Sequence, residues 1–191
     1  MAFIDVLSVT AIITTVALFF TGIPICIDIY RRGSTDDISS FPFVIGFVSS
    51  TFWLRYGFLT EQTPMIVVNA IGGLCMFCYL LFYIAYSRSR YGICAQFAAD
   101  LLVILVMLLV VQLKGEAVRD TLGLLCLIFN VICFGAPLAG VVVVIKRKSS
   151  ATLPLSLCAA NLLVAMQWML YGFLLQDFYI IVNLFQTAAI E

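Results

Sequence analysis

The sequence predicts an all-α membrane protein: seven transmembrane helices, arranged as two parallel three-helix bundles joined by a linker helix in a 3+1+3 order. Three observations predict it. First, 64% of the 191 residues are hydrophobic and 10% are charged, whereas soluble domains are roughly 45–50% apolar and about 25% charged, so the solvent that suits this chain is lipid. Second, the apolar residues fall into seven runs separated by short polar links. Third, the chain repeats itself.

The runs cover 6–30, 41–59, 65–86, 94–113, 121–145, 153–175 and 178–191. The first six approach the ~20 residues that a spanning helix needs, and the seventh is short. Met1–Asp5, ahead of the first run, carries no Lys or Arg, and the pair Arg31 and Arg32 follows it. That polarity is wrong for a cleaved signal peptide and suits a helix inserted with its N-terminus outside. Arg31, Arg32, Arg88, Arg90, Lys146, Arg147 and Lys148 lie in links on one side, against Lys114 and Arg119 on the other. Seven against two places the first set in the cytoplasm, the N-terminus on the extracellular or lumenal side and the C-terminus in the cytosol.

Four landmarks recur. Gly22-Ile-Pro24 returns as Gly135-Ala-Pro137, Phe41-Pro42-Phe43 as Leu153-Pro154-Leu155, WLRYGFL from Trp53 as WMLYGFL from Trp168, and Ile66-Val-Val-Asn69 as Ile180-Ile-Val-Asn183. Their offsets are 113, 112, 115 and 114. Such a steady period is looked for before any fold assignment. It carries four spans, and an even number of crossings returns the chain to the same side, so the units are parallel. Residues 1–90 then form the first repeat, 91–118 the linker helix and 119–191 the second repeat. The third helix of the first repeat runs 17 residues past Asn69 to Tyr86, while the chain stops eight residues past Asn183. The last helix is therefore expected to be cut short.

Several function classes are excluded. Net charge is zero and His is absent, so there is no basic excess for a nucleic-acid partner. The seven Cys lie in or beside apolar runs. Cys75 and Cys78 read CxxC, but no second pair and no His completes a metal site, which makes them packing residues. No metal or other cofactor is implied. The spans hold no paired acids and no nucleophile beside a base, so an enzyme is not expected.

With the repeat in view, the chain resembles the SWEET family of sugar transporters over its whole length. The residues that carry the resemblance are Pro24, Pro42, Pro137 and Pro154, the two W-x-x-Y-G-F-L segments, and Asn69 with Asn183. It implies a facilitative, bidirectional sugar uniporter working by alternating access, with a sugar and the lipid bilayer as partners, a homo-oligomer left open, and the plasma membrane or Golgi as location. The four prolines match the family's intracellular hinge. Tyr56 and Asp177 match an extracellular gate pair, with Arg55 near enough to compete for Asp177. A simple solvated carboxylate is the other reading of Asp177. Many plant members carry a small residue at the place of Trp53, and the larger ring here implies a monosaccharide rather than sucrose.

The chemistry of these residues also stands without the family. Proline removes a donor and clashes with the carbonyl four residues back, so inside a helix it makes a bend. Sugars carry hydroxyls that donate and accept, together with apolar C–H faces. Asn amides answer the hydroxyls and indoles stack on the faces, so Asn69, Asn183, Trp53 and Trp168 form a candidate substrate site. The competing readings are an interhelical hydrogen bond for Asn, worth ~0.6 kcal/mol in membranes, and an interfacial belt for Trp. Proton coupling normally needs a titratable relay within the membrane. The candidate acids here, Asp28 and Asp100, do not recur between repeats, which favours passive uniport. An amino-acid transporter of the same superfamily would be expected to show Pro-Gln where Pro42-Phe43 and Pro154-Leu155 stand. A seven-helix receptor or scaffold would lack the internal repeat.

Overall fold

The computed structural model describes residues 2–147 and 155–182, and among these all regular structure is helical. The helices are α1 (Ala2–Phe19), α2 (Gly22–Arg32), α3 (Phe41–Leu59), α4 (Thr63–Tyr86), α5 (Arg90–Lys114), α6 (Arg119–Arg147) and α7 (Leu155–Leu175). A 3-10 turn, Gly115–Val118, leads from α5 into α6, and a further helix begins at 178–182.

Among the described residues, Phe3–Arg32, Thr63–Tyr86 and Arg90–Cys133 are long and apolar enough to cross a membrane, and the apolar helix Ala159–Leu175 is shorter. The third stretch comprises α5, the 3-10 turn and the start of α6. At 19 residues, α3 is about 28 Å long, close to the ~30 Å hydrocarbon core of a bilayer. The surface is what lipid requires. On α5, Leu102, Leu105, Leu109 and Leu113 are exposed, while Ile104, Met107 and Val111 form a buried stripe at helical spacing.

The first apolar run is two helices, where the sequence suggested one. Pro24 has no N–H for the Phe20 carbonyl. The Ile23 N–H bonds that oxygen instead, at 3.0 Å, and the chain breaks at Phe20 and Thr21. Gly33, at a φ of 65°, then ends α2 and donates its N–H to Ile29, a left-handed cap that glycine adopts without steric cost.

By internal contacts the chain divides into two compact units, Met1–Leu18 with Leu127–Glu191, and Phe19–Cys126. In the second of these, α3 packs along α4, with α5 against α3 and α2 against α4. Ile29, Phe43, Val44, Leu80 and Tyr83 form its core. The Tyr83 hydroxyl donates to the Ile38 carbonyl at 2.6 Å and ties the α2–α3 link to α4. Phe97 of α5 meets Phe47 and Phe77 with ring centroids 5.7 and 6.1 Å apart. In the other unit, α1 and α7 are joined by side-chain hydrogen bonds described below.

Candidate functional site

The two W-x-x-Y-G-F-L segments end α3 and α7, and each letter has a task. Trp and Tyr, three residues apart, face the same side of the helix and meet edge to face. The centroids lie 5.7 Å apart at 79° for Trp53 and Tyr56, and 5.5 Å at 84° for Trp168 and Tyr171. Both Tyr are buried. The Gly that follows lets the next helix start against the end of this one. A Cβ on Gly57 would stand 3.1 Å from the Ile66 side chain and 3.2 Å from its backbone nitrogen, and one on Gly172 would stand 2.9 Å from Ile180. Phe58 and Phe173 face outward.

Each helix then ends in the same turn. Gln62 donates its N–H to the Gly57 carbonyl at 2.9 Å, and Asp177 to that of Gly172 at 3.1 Å. Glu61 and Gln176 between them sit at φ 56° and 55°. This is the Schellman arrangement, with left-handed backbone at a non-glycine residue. The residue that closes the turn also opens the next helix: Ile66 donates to the Gln62 carbonyl and Ile181 to that of Asp177. The Asp177 carboxylate adds a cap, accepting the N–H groups of Tyr179 at 3.0 Å and Ile180 at 3.2 Å. A helix N-terminus favours such an anion. Asp177 is 4% exposed, so it is a buried capping residue and not a solvated carboxylate. Tyr56 lies wholly buried in the other unit, and Arg55 is partly buried on α3.

The two Trp differ. Trp168 is half-buried and donates its indole N–H to the Thr15 hydroxyl at 2.9 Å. Beside it, the Thr14 hydroxyl donates to the Gln167 amide oxygen at 2.6 Å. Trp53 is 5% exposed, and its indole nitrogen is buried with no partner among the described residues. Buried donors are nearly always satisfied, so this one is available to a water or a ligand hydroxyl.

Asn69 lies partly buried on α4 and donates its amide to the Met65 carbonyl one turn back, at 2.9 Å. Its side-chain oxygen is left as an acceptor. Asn183 lies outside the described residues.

The prolines occupy unlike places. Pro24 follows the break in the first span. Pro42 lies in the first turn of α3, where a missing N–H costs no helical bond, so it begins a helix instead of bending the interior of one. α6 is continuous across Pro137. Pro154 lies outside the described residues. Thr14, Thr15 and Gln167 went unnoticed in the sequence, although two adjacent Thr within a 30-residue apolar stretch and a Gln beside Trp168 are the polar exceptions that mark them. Cys75 and Cys78 are one turn apart on α4, and no group of three or more metal-ligating side chains occurs among the described residues.

A family model described as "Sugar efflux transporter for intercellular exchange" matches residues 5–91 and 120–190. Among curated proteins, the chain is similar to sugar transporter SWEET1 of Caenorhabditis elegans, 47% identical over 179 residues, covering 94% of this chain and 59% of that protein. It is 40% identical over 181 residues to sugar transporter SWEET1 of Drosophila pseudoobscura pseudoobscura, covering 92% of this chain and 80% of that one. The human SWEET1 is 34% identical over 179 residues, with coverages of 91% and 80%. The chain thus spans 59% of the length of the worm relative. A solved structure of a eukaryotic SWEET transporter matches with a TM-score of 0.86 at 22% identity, over 98% of this chain and 93% of that one. At that identity the likeness speaks for the fold, an all-α membrane fold. Since the matched segments take up most of the chain and the relatives align along nearly all of it, the chain belongs to the SWEET family of sugar efflux transporters for intercellular exchange, a family of transporters and not of enzymes.

Proposed function

We propose that this chain carries a sugar of monosaccharide size, glucose-like, across a membrane in either direction and down its gradient, by alternating access of two proline-hinged three-helix bundles. The observation that carries the reading is the duplicated Trp-Tyr-Gly helix end, one copy of which holds a buried indole N–H without a partner among the described residues. A sugar hydroxyl is an acceptor of the right kind, and the relatives named above are sugar transporters. Asn69, Asn183, Trp53 and Trp168 line the substrate site, Pro24, Pro42, Pro137 and Pro154 form the intracellular hinge, and Tyr56 with Asp177 forms the outer gate. The repeats run 1–90 and 119–191 about a linker helix at 91–118, which the paired family matches support. The N-terminus faces outward and the C-terminus faces the cytosol, in the plasma membrane or Golgi, alone or as a homo-oligomer.

Counterflow of radiolabelled glucose in proteoliposomes, with sucrose and an amino acid as competitors, tests this reading. Glucose should exchange, unlabelled glucose should compete better than sucrose, and a protonophore should change nothing. Competition by the amino acid alone, or accumulation that collapses with the proton gradient, would overturn it. Tags at the two ends should show opposite accessibility in intact cells.

A further inference from the structure

The break between α1 and α2 is held from outside. Because the Ile23 N–H has turned to Phe20, the Phe19 carbonyl has lost the donor that a continuous helix would give it. The Tyr79 hydroxyl of α4 donates to that oxygen at 3.0 Å. Two close approaches set this bond in place. The Tyr79 ring lies over Gly22, where a Cβ would stand 2.5 Å from the ring, and the Phe19 ring lies over Gly72, where a Cβ would also stand 2.5 Å away. Glycine on each side of the contact thus brings helix and break together. In a bilayer, a freed carbonyl persists only where a neighbour satisfies it, and here that neighbour is one phenol. All these residues lie in the compact unit Phe19–Cys126.

We infer that Tyr79 is a positioning residue for transport, a latch whose hydroxyl holds the Pro24 break in its present geometry and must let go when α2 swings relative to α1. This rests on the alternating-access reading above. Tyr79 is not a substrate contact: it acts through the Phe19 carbonyl and the Gly22 backbone. Loss of the hydroxyl should change how often the break rearranges, while leaving sugar affinity alone.

The test uses the full chain in proteoliposomes with Tyr79→Phe, which keeps the ring over Gly22 and removes only the donor. Gly22→Ala is a second route, since its new methyl pushes the ring and hydroxyl away. A net hydrogen bond of about 1 kcal/mol corresponds to roughly a fivefold population shift. Deuterium exchange of amides in the peptide spanning 19–27 should speed up about fivefold in both variants. Maximal glucose counterflow should change at least about threefold, with equilibrium glucose binding held within about twofold, the pattern of a conformational step. Unchanged exchange in both variants would overturn the latch. Faster exchange with unchanged counterflow would reduce Tyr79 to a structural contact and overturn its gating role. If the unmodified chain shows no glucose counterflow, the transport reading itself fails, and the exchange measurement still decides whether Tyr79 holds the break.

Discussion

Trp168 donates its indole N–H to the Thr15 hydroxyl at 2.9 Å, tying α7 to α1 at the level where the substrate site is proposed. Nothing equivalent holds Trp53, whose N–H is buried without a partner among the described residues. The pseudo-symmetric pair is therefore chemically uneven, with one ring fixed and the other carrying an available donor.

The unevenness can be measured by deleting each N–H in turn. Trp53→Phe removes a donor with no partner among the described residues, so relief of that buried N–H should offset the packing lost with the smaller ring and hold thermal stability in detergent within a few tenths of a kcal/mol, while glucose affinity falls if that donor meets the sugar. Thr15→Val leaves the Trp168 N–H without its acceptor and should lower stability by ~1 kcal/mol, near the low end of the range because the ring is only half-buried. Equal stability losses from the two variants would sink the proposed asymmetry.

Asn69 spends one amide hydrogen on the Met65 carbonyl and keeps its oxygen as an acceptor. Asn69→Ala should weaken glucose binding roughly five- to hundredfold, the effect of leaving one buried group unsatisfied at ~1–3 kcal/mol. Asn69→Asp keeps an acceptor and should bind better than the alanine variant. Binding titrations read alongside protein yield separate this from packing, because a packing role would lower yield and melting temperature and leave affinity unaltered in whatever protein folds.

The two hairpin glycines should be intolerant of a methyl group. Gly57→Ala and Gly172→Ala would each force a contact near 3 Å against the opening turn of the next helix, and overpacking of this kind costs ~1–3 kcal/mol. The Gly172 variant should suffer no less than the Gly57 variant, since its closest contact, 2.9 Å from Ile180 against 3.1 Å from Ile66, is the tighter of the two. Thermal unfolding of the purified variants in one detergent gives the comparison.

Asp177 should behave as a cap before it behaves as anything else. Asp177→Asn keeps an oxygen for the Tyr179 and Ile180 amides and should lose only a few tenths of a kcal/mol, while Asp177→Ala should lose about 1 kcal/mol. If it also acts in the outer gate, Asp177→Asn will alter the counterflow rate at nearly normal stability. An asparagine variant with wild-type counterflow would confine the residue to capping.

Much of this was readable in advance. The Trp, Tyr and Gly of the repeated segment stand at spacings of three and four residues, which put them on one helical face, so a shared task at each helix end followed from the order of letters. Other features were hidden for physical reasons. The break at Phe20 and Thr21 leaves no mark on hydropathy, because a broken helix in lipid is as apolar as an intact one and Pro24 alone does not say whether a chain bends or stops. Pro42 stands at the start of its apolar run and Pro24 inside one, so the opening place of Pro42 was legible, whereas the shared hinge expectation treated the two alike. The partners of Trp168 and of the Phe19 carbonyl lie 153 and 60 residues away, and local pattern carries no information about such pairings. The turn that places Asp177 is local, five residues from Gly172, but its left-handed residue is Gln176 instead of the glycine that usually marks such a turn.

The shared residue in each hairpin has a mechanical consequence. Gln62 ends α3 and starts α4, so no slack separates the two rods, and the pair must travel as one stiff lever. A single residue inserted in the first turn of α4, after Met65, would shift every later residue by about 100° around the helix, swinging Asn69 and Tyr79 away together and unhooking Phe19. The gearing between the turn at one end of α4 and the clasp near its other end is thus set by counting residues, and a change of length there should be felt across the whole span.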